Sequence, residues 1–142
     1  MFYAVPPFST KSGTPVNAVF GLAKTMLGLH EYDKPDMLVF VMDSGKSFRV
    51  DMYTEYKANR DRMPDNLKIQ ESIIFELLES MGITPMTAPG YEADDIIGTL
   101  VTKFAENPEN DIYILSGDKD LYQFTGPRIA VYDMIKRTIS RE

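Results

Sequence analysis

Apolar residues recur at helical spacing in three stretches of the chain. Thr14-Pro15 is a helix-start signal, a Thr N-cap followed by Pro in the first helical position, and it predicts a helix over about residues 15–29. A second helix is predicted to be capped by Asp65 and to end at Gly82. The third follows Pro89-Gly90 and ends near Asn107-Pro108.

Short apolar runs between these helices predict strands. Residues 37–42 are continuously apolar, which is typical of a strand covered on both faces in a parallel sheet. Further strands are predicted over residues 83–87, 111–115 and 128–132. Because strands alternate with helices, the pattern predicts an α/β fold, a parallel sheet flanked by helices.

Length and composition add a domain count and exclude two classes of protein. The chain has 142 residues, 44% of them apolar, which suits a single domain over residues 1–142. It has no Cys, so disulfide frameworks and thiolate zinc sites are excluded. No basic segment followed by a long apolar run opens the chain, and no apolar stretch is long enough to cross a bilayer. We expect a cytoplasmic protein that does not enter membranes.

The charge is unevenly distributed. The net charge of −6 argues against a general nucleic-acid coat, yet residues 46–62 hold five basic residues against three acidic ones. This stretch lies in a tyrosine-rich segment, residues 44–64, without a clean period, which we predict to be partly helical and mobile. Within it, Lys57 and Arg60 are one helical turn apart and could bind phosphate beside aromatic surfaces. The alternative is a solvated charged face.

Six acidic residues stand where ligands bind in open parallel sheets, beyond the carboxyl ends of the strands. Two of them end predicted strands, and three lie where a loop enters the third helix. The sixth lies two residues after the second of the strand-end acids. Carboxylates gathered there would repel one another unless cations held them, and Mg²⁺ or Mn²⁺ prefers such oxygen ligands. Two ions about 4 Å apart would suit phosphodiester hydrolysis. The six are Asp43, Glu92, Asp94, Asp95, Asp118 and Asp120.

Each of these acids also has a local explanation. Acids in a first helical turn are favoured by the helix dipole, so Glu92, Asp94 and Asp95 could simply cap the third helix. A lone Asp43 is more often a turn residue, and Asp118 could form an Asx turn into a short helix. Joint placement, rather than any single residue, favours the metal site. Glu92 and Asp95 are three apart and share a helix face, whereas Asp94 projects elsewhere.

Four motifs occur in an order that resembles a known family. They are FVMDSGKSFR (40–49), YKANR (56–60), PGYEADD (89–95) and LSGDKDLYQ (115–123). Together they closely resemble the 5′ nuclease domain of bacterial DNA polymerase I and its flap-endonuclease relatives. The resemblance runs essentially from Phe2 to the end of the chain.

The resemblance implies a PIN-like, Rossmann-like fold that binds two divalent ions, Mg²⁺ or Mn²⁺, and cleaves DNA with 5′ flaps or 5′ ends, with RNA primers as further substrates. The six acids would be the metal ligands. Lys57 and Arg60 match the basic pair expected to hold the scissile phosphate and assist the transition state. The residues expected to contact DNA are Lys46, Arg49, Tyr53, Tyr56, Lys57, Arg60 and Lys119.

The chain differs from the family pattern at its two ends. The usual first strand with its metal-binding Asp, the later acidic motif and the helix-hairpin-helix region are not in the sequence, so one metal site is expected to be incomplete. An unpaired sheet edge predicts a homodimer or a strand swap. Two alternatives to the nuclease are a non-catalytic nucleic-acid or metal-binding remnant of the fold and a TOPRIM-like domain.

Overall fold

The computed structural model describes residues 5–45, 47–52, 64–133 and 138–141. Its contacts group the chain into two compact units, one formed by residues 1–40 and 55–86 and the other by residues 41–54 and 87–142. None of the helices within these described ranges is long and apolar enough to cross a membrane.

The first unit is helical. Helix α1 spans Asn17–Gly28 and continues into a π-helical turn, Leu29–Asp33, while α3 spans Asp65–Ser80. The predicted end of α3 is confirmed, because Gly82 has a φ of +71°, the left-handed conformation that glycine adopts without strain. The predicted cap is wrong by one residue, since Asp65 is the first helical residue and Pro64 is the N-cap.

Helices α1 and α3 bury one apolar cluster. Its centre is Leu78, which is fully buried, together with Leu22 and Met26 on α1. Partly buried apolar side chains surround it, namely Leu29, Phe40, Ile74, Leu77 and Ile83. The helical spacing that predicted these two helices therefore marked the faces that pack together.

The predicted cap of α1, Thr14-Pro15, is wrong. Pro15 pairs instead with Ser9 in an isolated antiparallel bridge, so the chain is still extended there, and the N-cap is Val16. The side chain of Gln70 on α3 supplies the missing acceptor: its Oε1 accepts from the backbone N–H of Ala18 at 2.7 Å. A side chain distant in the sequence thus caps the first turn of α1 in place of a local residue.

Two predicted strands are not formed. Residues 37–42 and 83–87 contain no strand, although Val41 and Met86 each take part in a β-bridge and Met86 N donates to the Phe40 carbonyl at 2.7 Å. Apolar character predicted burial for the first run, but Met37 is 63% exposed. A strand needs a ladder of backbone partners, and apolar character alone does not provide one.

The second unit contains α2 (Phe48–Met52), α4 (Ala93–Ala105), and a sheet of β1 (Ile112–Leu115), β2 (Ile129–Asp133) and β3 (Thr138–Ser140). The strand order is β1-β2-β3. Strands β1 and β2 were predicted, and they are parallel as expected. Strand β3 was not predicted, and because it runs antiparallel to β2 the sheet is mixed rather than wholly parallel.

A second apolar cluster lies between this sheet and its helices. It is formed by Val101 on α4, Ile114 on β1, Val131 on β2 and Leu121, which belongs to a 3₁₀ helix over Lys119–Phe124. This packing fixes α4 and the 3₁₀ helix against the carboxyl end of β1. Asp94 and Asp95 lie in the first turn of α4, and Asp118 and Asp120 lie at the start of the 3₁₀ helix.

Candidate functional site

Four of the predicted acids lie at the N-terminus of α4: Asp43, Glu92, Asp94 and Asp95. Glu92 is its N-cap, and the Asp95 side chain accepts from the Glu92 backbone N–H at 3.0 Å in a capping box. Asp43 Oδ1 accepts from the N–H of Ala93 at 2.7 Å. The local capping explanation is therefore correct for Asp95, and Asp43 serves the same helix end.

Two further acids follow β1. Asp118 is the N-cap of the 3₁₀ helix, where its Oδ1 accepts from Asp120 N at 3.0 Å, while its own N–H donates to Ser116 Oγ at 3.1 Å. The predicted Asx turn is thus formed. These hydrogen bonds hold the Asp118 carboxylate at the end of a strand whose position is fixed by the core.

Asp94 has the other acids for neighbours. Burial raises the pKa of its carboxyl above the ordinary value, and the negative charges of four nearby carboxylates raise it further. In descending order of effect these are Asp118, Asp43, Glu92 and Asp120. The carboxylates that raise the pKa of Asp94 thus come from three segments, and the predicted difference in helix face between Asp94 and the pair Glu92 and Asp95 stays a prediction.

Asp95 has a different environment. Arg49 Nη1 donates to its Oδ2 and Nη2 to its Oδ1, each at 2.7 Å, which makes a two-pronged charged pair. Arg49 Nη1 also lies 3.8 Å from Glu92 Oε2. All three side chains are partly shielded, at 32% exposed for Arg49, 25% for Asp95 and 14% for Glu92.

The short helix α2 carries Arg49 and is attached to the loop before α4. Phe48 N donates to the Gly90 carbonyl at 2.7 Å, and the Phe48 ring packs edge-on against Tyr91 with centroids 5.5 Å apart. The Arg49 guanidinium lies 4.9 Å from the Phe48 ring centre. This arrangement brings α2 to the acidic N-terminus of α4.

The remaining predicted site residues divide into two sets. Lys119 is described and exposed, at the start of the 3₁₀ helix. The other DNA-contact and phosphate-binding predictions lie outside the described residues, and they are Lys46, Tyr53, Tyr56, Lys57 and Arg60. Within the predicted gripping segment 44–64, the described residues include helix α2, whereas residues 46 and 53–63 lie outside the described ranges.

The carboxylates have the oxygen donors that a divalent cation prefers, but in the described part of this structure they are not close enough together to surround one. Oxygen donors of this kind suit Mg²⁺ or Mn²⁺, and repulsion around Asp94 is the charge pattern that a cation would relieve. Within the ranges 5–45, 47–52, 64–133 and 138–141, however, no three or more His, Cys, Asp or Glu residues are close enough to hold a metal ion.

Sequence reasoning missed the pairing of Arg49 with Asp95. It assigned Arg49 to DNA and Asp95 to metal, whereas the structure joins them. The Glu-x-x-Asp spacing of 92–95 did carry a signal for part of this arrangement, because it is the spacing of a capping box. Nothing in the local sequence signalled a partner 46 positions away.

Comparison with known proteins gives one family. Residues 1–142 match the family model described as the 5′-3′ exonuclease, N-terminal resolvase-like domain. The chain is 40% identical over 131 residues to DNA polymerase I of Caldicellulosiruptor bescii, an alignment that covers 92% of this chain and 15% of the relative. It is also 40% identical over 131 residues to the 5′-3′ exonuclease of Aquifex aeolicus, covering 92% and 45%. The chain therefore spans less than half the length of either relative.

Solved structures of bacteriophage T5 proteins share the fold. The T5 5′-exonuclease with bound zinc superposes with a TM-score of 0.67 at 21% identity, covering 87% of this chain and 49% of that one. The T5 flap endonuclease in complex with DNA and metal ions gives 0.63 at 20% identity, covering 89% and 50%. The predicted α/β, PIN-like fold is confirmed by this likeness.

Proposed function

Because this chain belongs to the family of 5′-3′ exonuclease N-terminal resolvase-like domains, we propose that it acts as a structure-specific 5′ nuclease. Its substrates are DNA with 5′ flaps or 5′ ends, with RNA primers as a second class. The reaction is hydrolysis of a phosphodiester with two divalent ions, Mg²⁺ or Mn²⁺, in one domain over residues 1–142.

One observation carries the proposal: the pKa of Asp94 is raised by burial first and then by the negative charges of four carboxylates from three segments. Such mutual repulsion costs stability, and local capping does not require Asp94 to share in it. A cation would turn this repulsion into attraction, so the arrangement favours a metal-binding role. The two T5 structures were solved with metal ions, which supports the same role here.

The proposed ligands are the acids predicted from the sequence, Asp43, Glu92, Asp94, Asp95, Asp118 and Asp120. A bound divalent ion supplies positive charge opposite the developing negative charge on the phosphate and lowers the pKa of water. Asp43 and Asp118 are already oriented, the first by Ala93 N–H and the second by Asp120 N–H. Such preorganisation reduces the rearrangement that ligand binding requires.

The substrate side of the proposal rests on the motif match. Lys57 and Arg60 would hold the scissile phosphate, where positive charge favours the transition state over the ground state. The remaining DNA contacts would come from both charged and aromatic side chains, which track the backbone and stack on bases. These are Lys46, Arg49, Tyr53, Tyr56 and Lys119.

The test is cleavage of a 5′-labelled flap by the purified chain in Mg²⁺ and in Mn²⁺. Asp118→Asn removes one ligand charge while its side-chain oxygen can still accept from Asp120 N, so the expected result is loss of metal-dependent cleavage without loss of fold. Glu109→Gln is the matched control, because Glu109 is exposed and lies beyond the opposite end of α4. Equal cleavage by wild type and Asp118→Asn would rule out the assigned metal chemistry.

A second candidate is a non-catalytic nucleic-acid or metal-binding remnant of the same fold. The observation in its favour is that, among the residues described, the acids do not close around a metal site. It predicts flap binding without cleavage at any Mn²⁺ concentration, and an Asp118→Asn variant that changes metal affinity alone. The TOPRIM-like alternative loses its support, because Glu92 caps a helix instead of ending a strand and the family match lies elsewhere.

The homodimer or strand swap stays a prediction. Light scattering of the purified chain across a dilution series tests it directly. A dimer would have twice the monomer mass of 16.1 kDa, either at all concentrations or falling toward the monomer mass on dilution. A mass that stays at the monomer value throughout would contradict the prediction.

A further inference from the structure

Asp95 is engaged by more donors than any other acid of the site whose hydrogen bonds are described above. Its Oδ1 accepts from Arg49 Nη2, and its Oδ2 accepts from both Arg49 Nη1 and Glu92 N, at 2.7, 2.7 and 3.0 Å. A metal ion would need one of these oxygens. Binding it through Asp95 would therefore require charged hydrogen bonds to be broken or shared.

The partner of Asp95 lies on a separate helix. Arg49 belongs to α2, which is also held by the Phe48 N–H on the Gly90 carbonyl and by the Phe48–Tyr91 ring contact. The Asp95 carboxylate thus receives one donor from its own helix end and two from α2. It is the point at which α2 is fastened to the N-terminus of α4.

We infer that Asp95 is a positioning residue, whose carboxylate locks Arg49 and with it α2 onto α4, and that it does not belong to the metal ligand set. The ligand set of the proposed nuclease then contracts to Asp43, Glu92, Asp94, Asp118 and Asp120. Arg49 likewise changes role, from a contact to DNA to the intramolecular cation that neutralises Asp95. Helix α2 lies within the predicted gripping segment 44–64, so this pair attaches one described part of that segment to the N-terminus of α4.

The inference makes two claims, that Asp95 attaches α2 to α4 and that Asp95 is not a metal ligand. Only the second claim rests on the proposed function. The attachment of α2 can be measured without metal, by hydrogen exchange of the α2 amides in the whole chain with EDTA. Arg49→Ala and Asp95→Asn should each raise exchange over 48–52 by about three- to tenfold, the range for a charged hydrogen-bond pair that is partly screened by solvent. Combining them should add little, because each change already breaks the same pair.

Two controls separate the lock from a general loss of charge. Arg128→Ala removes another Arg–Asp pair of the same unit, Arg128 with Asp111 at 3.2 Å, and should leave exchange over 48–52 unchanged. Arg49→Lys retains the positive charge but cannot make two parallel hydrogen bonds, so it should show an intermediate effect.

Mn²⁺ titration tests the second half. Loss of a direct ligand in Asp94→Asn should weaken Mn²⁺ binding by at least as much as loss of an outer-shell partner typically does, that is by more than about tenfold. Asp95→Asn should change it by less than about fivefold, the effect of removing a partly exposed charge nearby. A variant Asp95→Asn that loses Mn²⁺ as Asp94→Asn does would overturn the exclusion of Asp95 from the ligand set.

Exchange over 48–52 that does not respond to Asp95→Asn would overturn the lock itself. If the wild-type chain binds no Mn²⁺, the proposed metal chemistry fails, but the exchange result still decides whether Asp95 fastens α2. The two failures are therefore distinguishable.

Discussion

Asp43 Oδ1 accepts a hydrogen bond from the backbone N–H of Ala93 at 2.7 Å, so a residue 50 positions earlier in the chain completes the first turn of α4. The same carboxylate contributes to the raised pKa of Asp94. One side chain therefore serves both the helix end and the acidic group, and substitutions can separate the two roles.

Asp43→Ala should lower the free energy of unfolding by about 0.5–1 kcal/mol, since it removes an acceptor at a helix N-terminus. Asp43→Asn keeps an oxygen acceptor and should cost less, while it loses the charge needed for a cation. Urea denaturation and Mn²⁺ titration of the two variants measure the roles independently. Equal loss of stability in both variants would show that the charge, not the hydrogen bond, stabilises this helix end.

The raised pKa of Asp94 predicts a pH dependence of stability. A folded-state pKa above the ordinary 3.8 means that the folded protein binds this proton more tightly than the unfolded chain does. The ionised group therefore costs stability, beginning as the pH rises through about 3.8 and reaching its full size above the folded-state pKa. Below 3.8 both states are protonated and the cost vanishes.

Asp94→Asn should accordingly raise the free energy of unfolding at pH 7, and this gain should shrink toward pH 3. Urea denaturation of wild type and variant in EDTA, from pH 3 to pH 7, gives the difference directly. Asp36→Asn is a matched control, because no shift in the pKa of Asp94 is caused by Asp36. A difference that does not vary with pH would contradict the assigned repulsion.

Divalent cations should reverse that cost. An ion that binds the folded state and not the unfolded chain raises the free energy of unfolding by mass action. The increase is about 2.7 kcal/mol when the free ion concentration is a hundred times the dissociation constant. We expect Mn²⁺ and Mg²⁺ to raise the Tm of the wild type, with a smaller rise in Asp118→Asn and an unchanged rise in Glu109→Gln. Thermal unfolding followed by circular dichroism checks this, and identical shifts in all three proteins would place the ion elsewhere.

The sequence predicted elements well where the signal was local. The helical spacing of α1, α3 and α4 and the apolar runs of β1 and β2 each report a face that must be buried, and the structure buries them. The prediction failed at residues 37–42, where Met37 is exposed and no strand forms, because an apolar run does not specify the backbone partners that make a strand.

Long-range contacts account for the other failures. Thr14-Pro15 has the sequence of a helix start, but the acceptor for the Ala18 N–H is the side chain of Gln70. Gln70 is distant in the sequence, so the local pattern contains no sign of it. The acids of the site were found because strand ends and helix starts are local features. The partner of Asp95 was not found, since no rule of spacing joins it to Arg49.

Gly98, inside α4, tests how the acidic group depends on packing. A Cβ built there lies 2.6 Å from Phe124 Cζ, closer than such atoms approach in proteins. Alanine in a helix interior normally adds up to about 1 kcal/mol over glycine. Here the overlap should outweigh that gain, and Gly98→Ala should lower the free energy of unfolding by about 1–3 kcal/mol.

The clash should also reach the acids. Phe124 ends the 3₁₀ helix that begins directly after Asp118, so moving its ring shifts the segment that holds Asp118 and Asp120. We expect Gly98→Ala to weaken Mn²⁺ binding, and Phe124→Leu to restore part of both losses in the double variant, measured by urea denaturation and titration. Gly28→Ala is the control, because a Cβ there meets open space. If Gly98→Ala proves as stable as the wild type, then Phe124 can move without cost, and the position of Asp118 is set by its own hydrogen bonds to Ser116 and Asp120 rather than by the core.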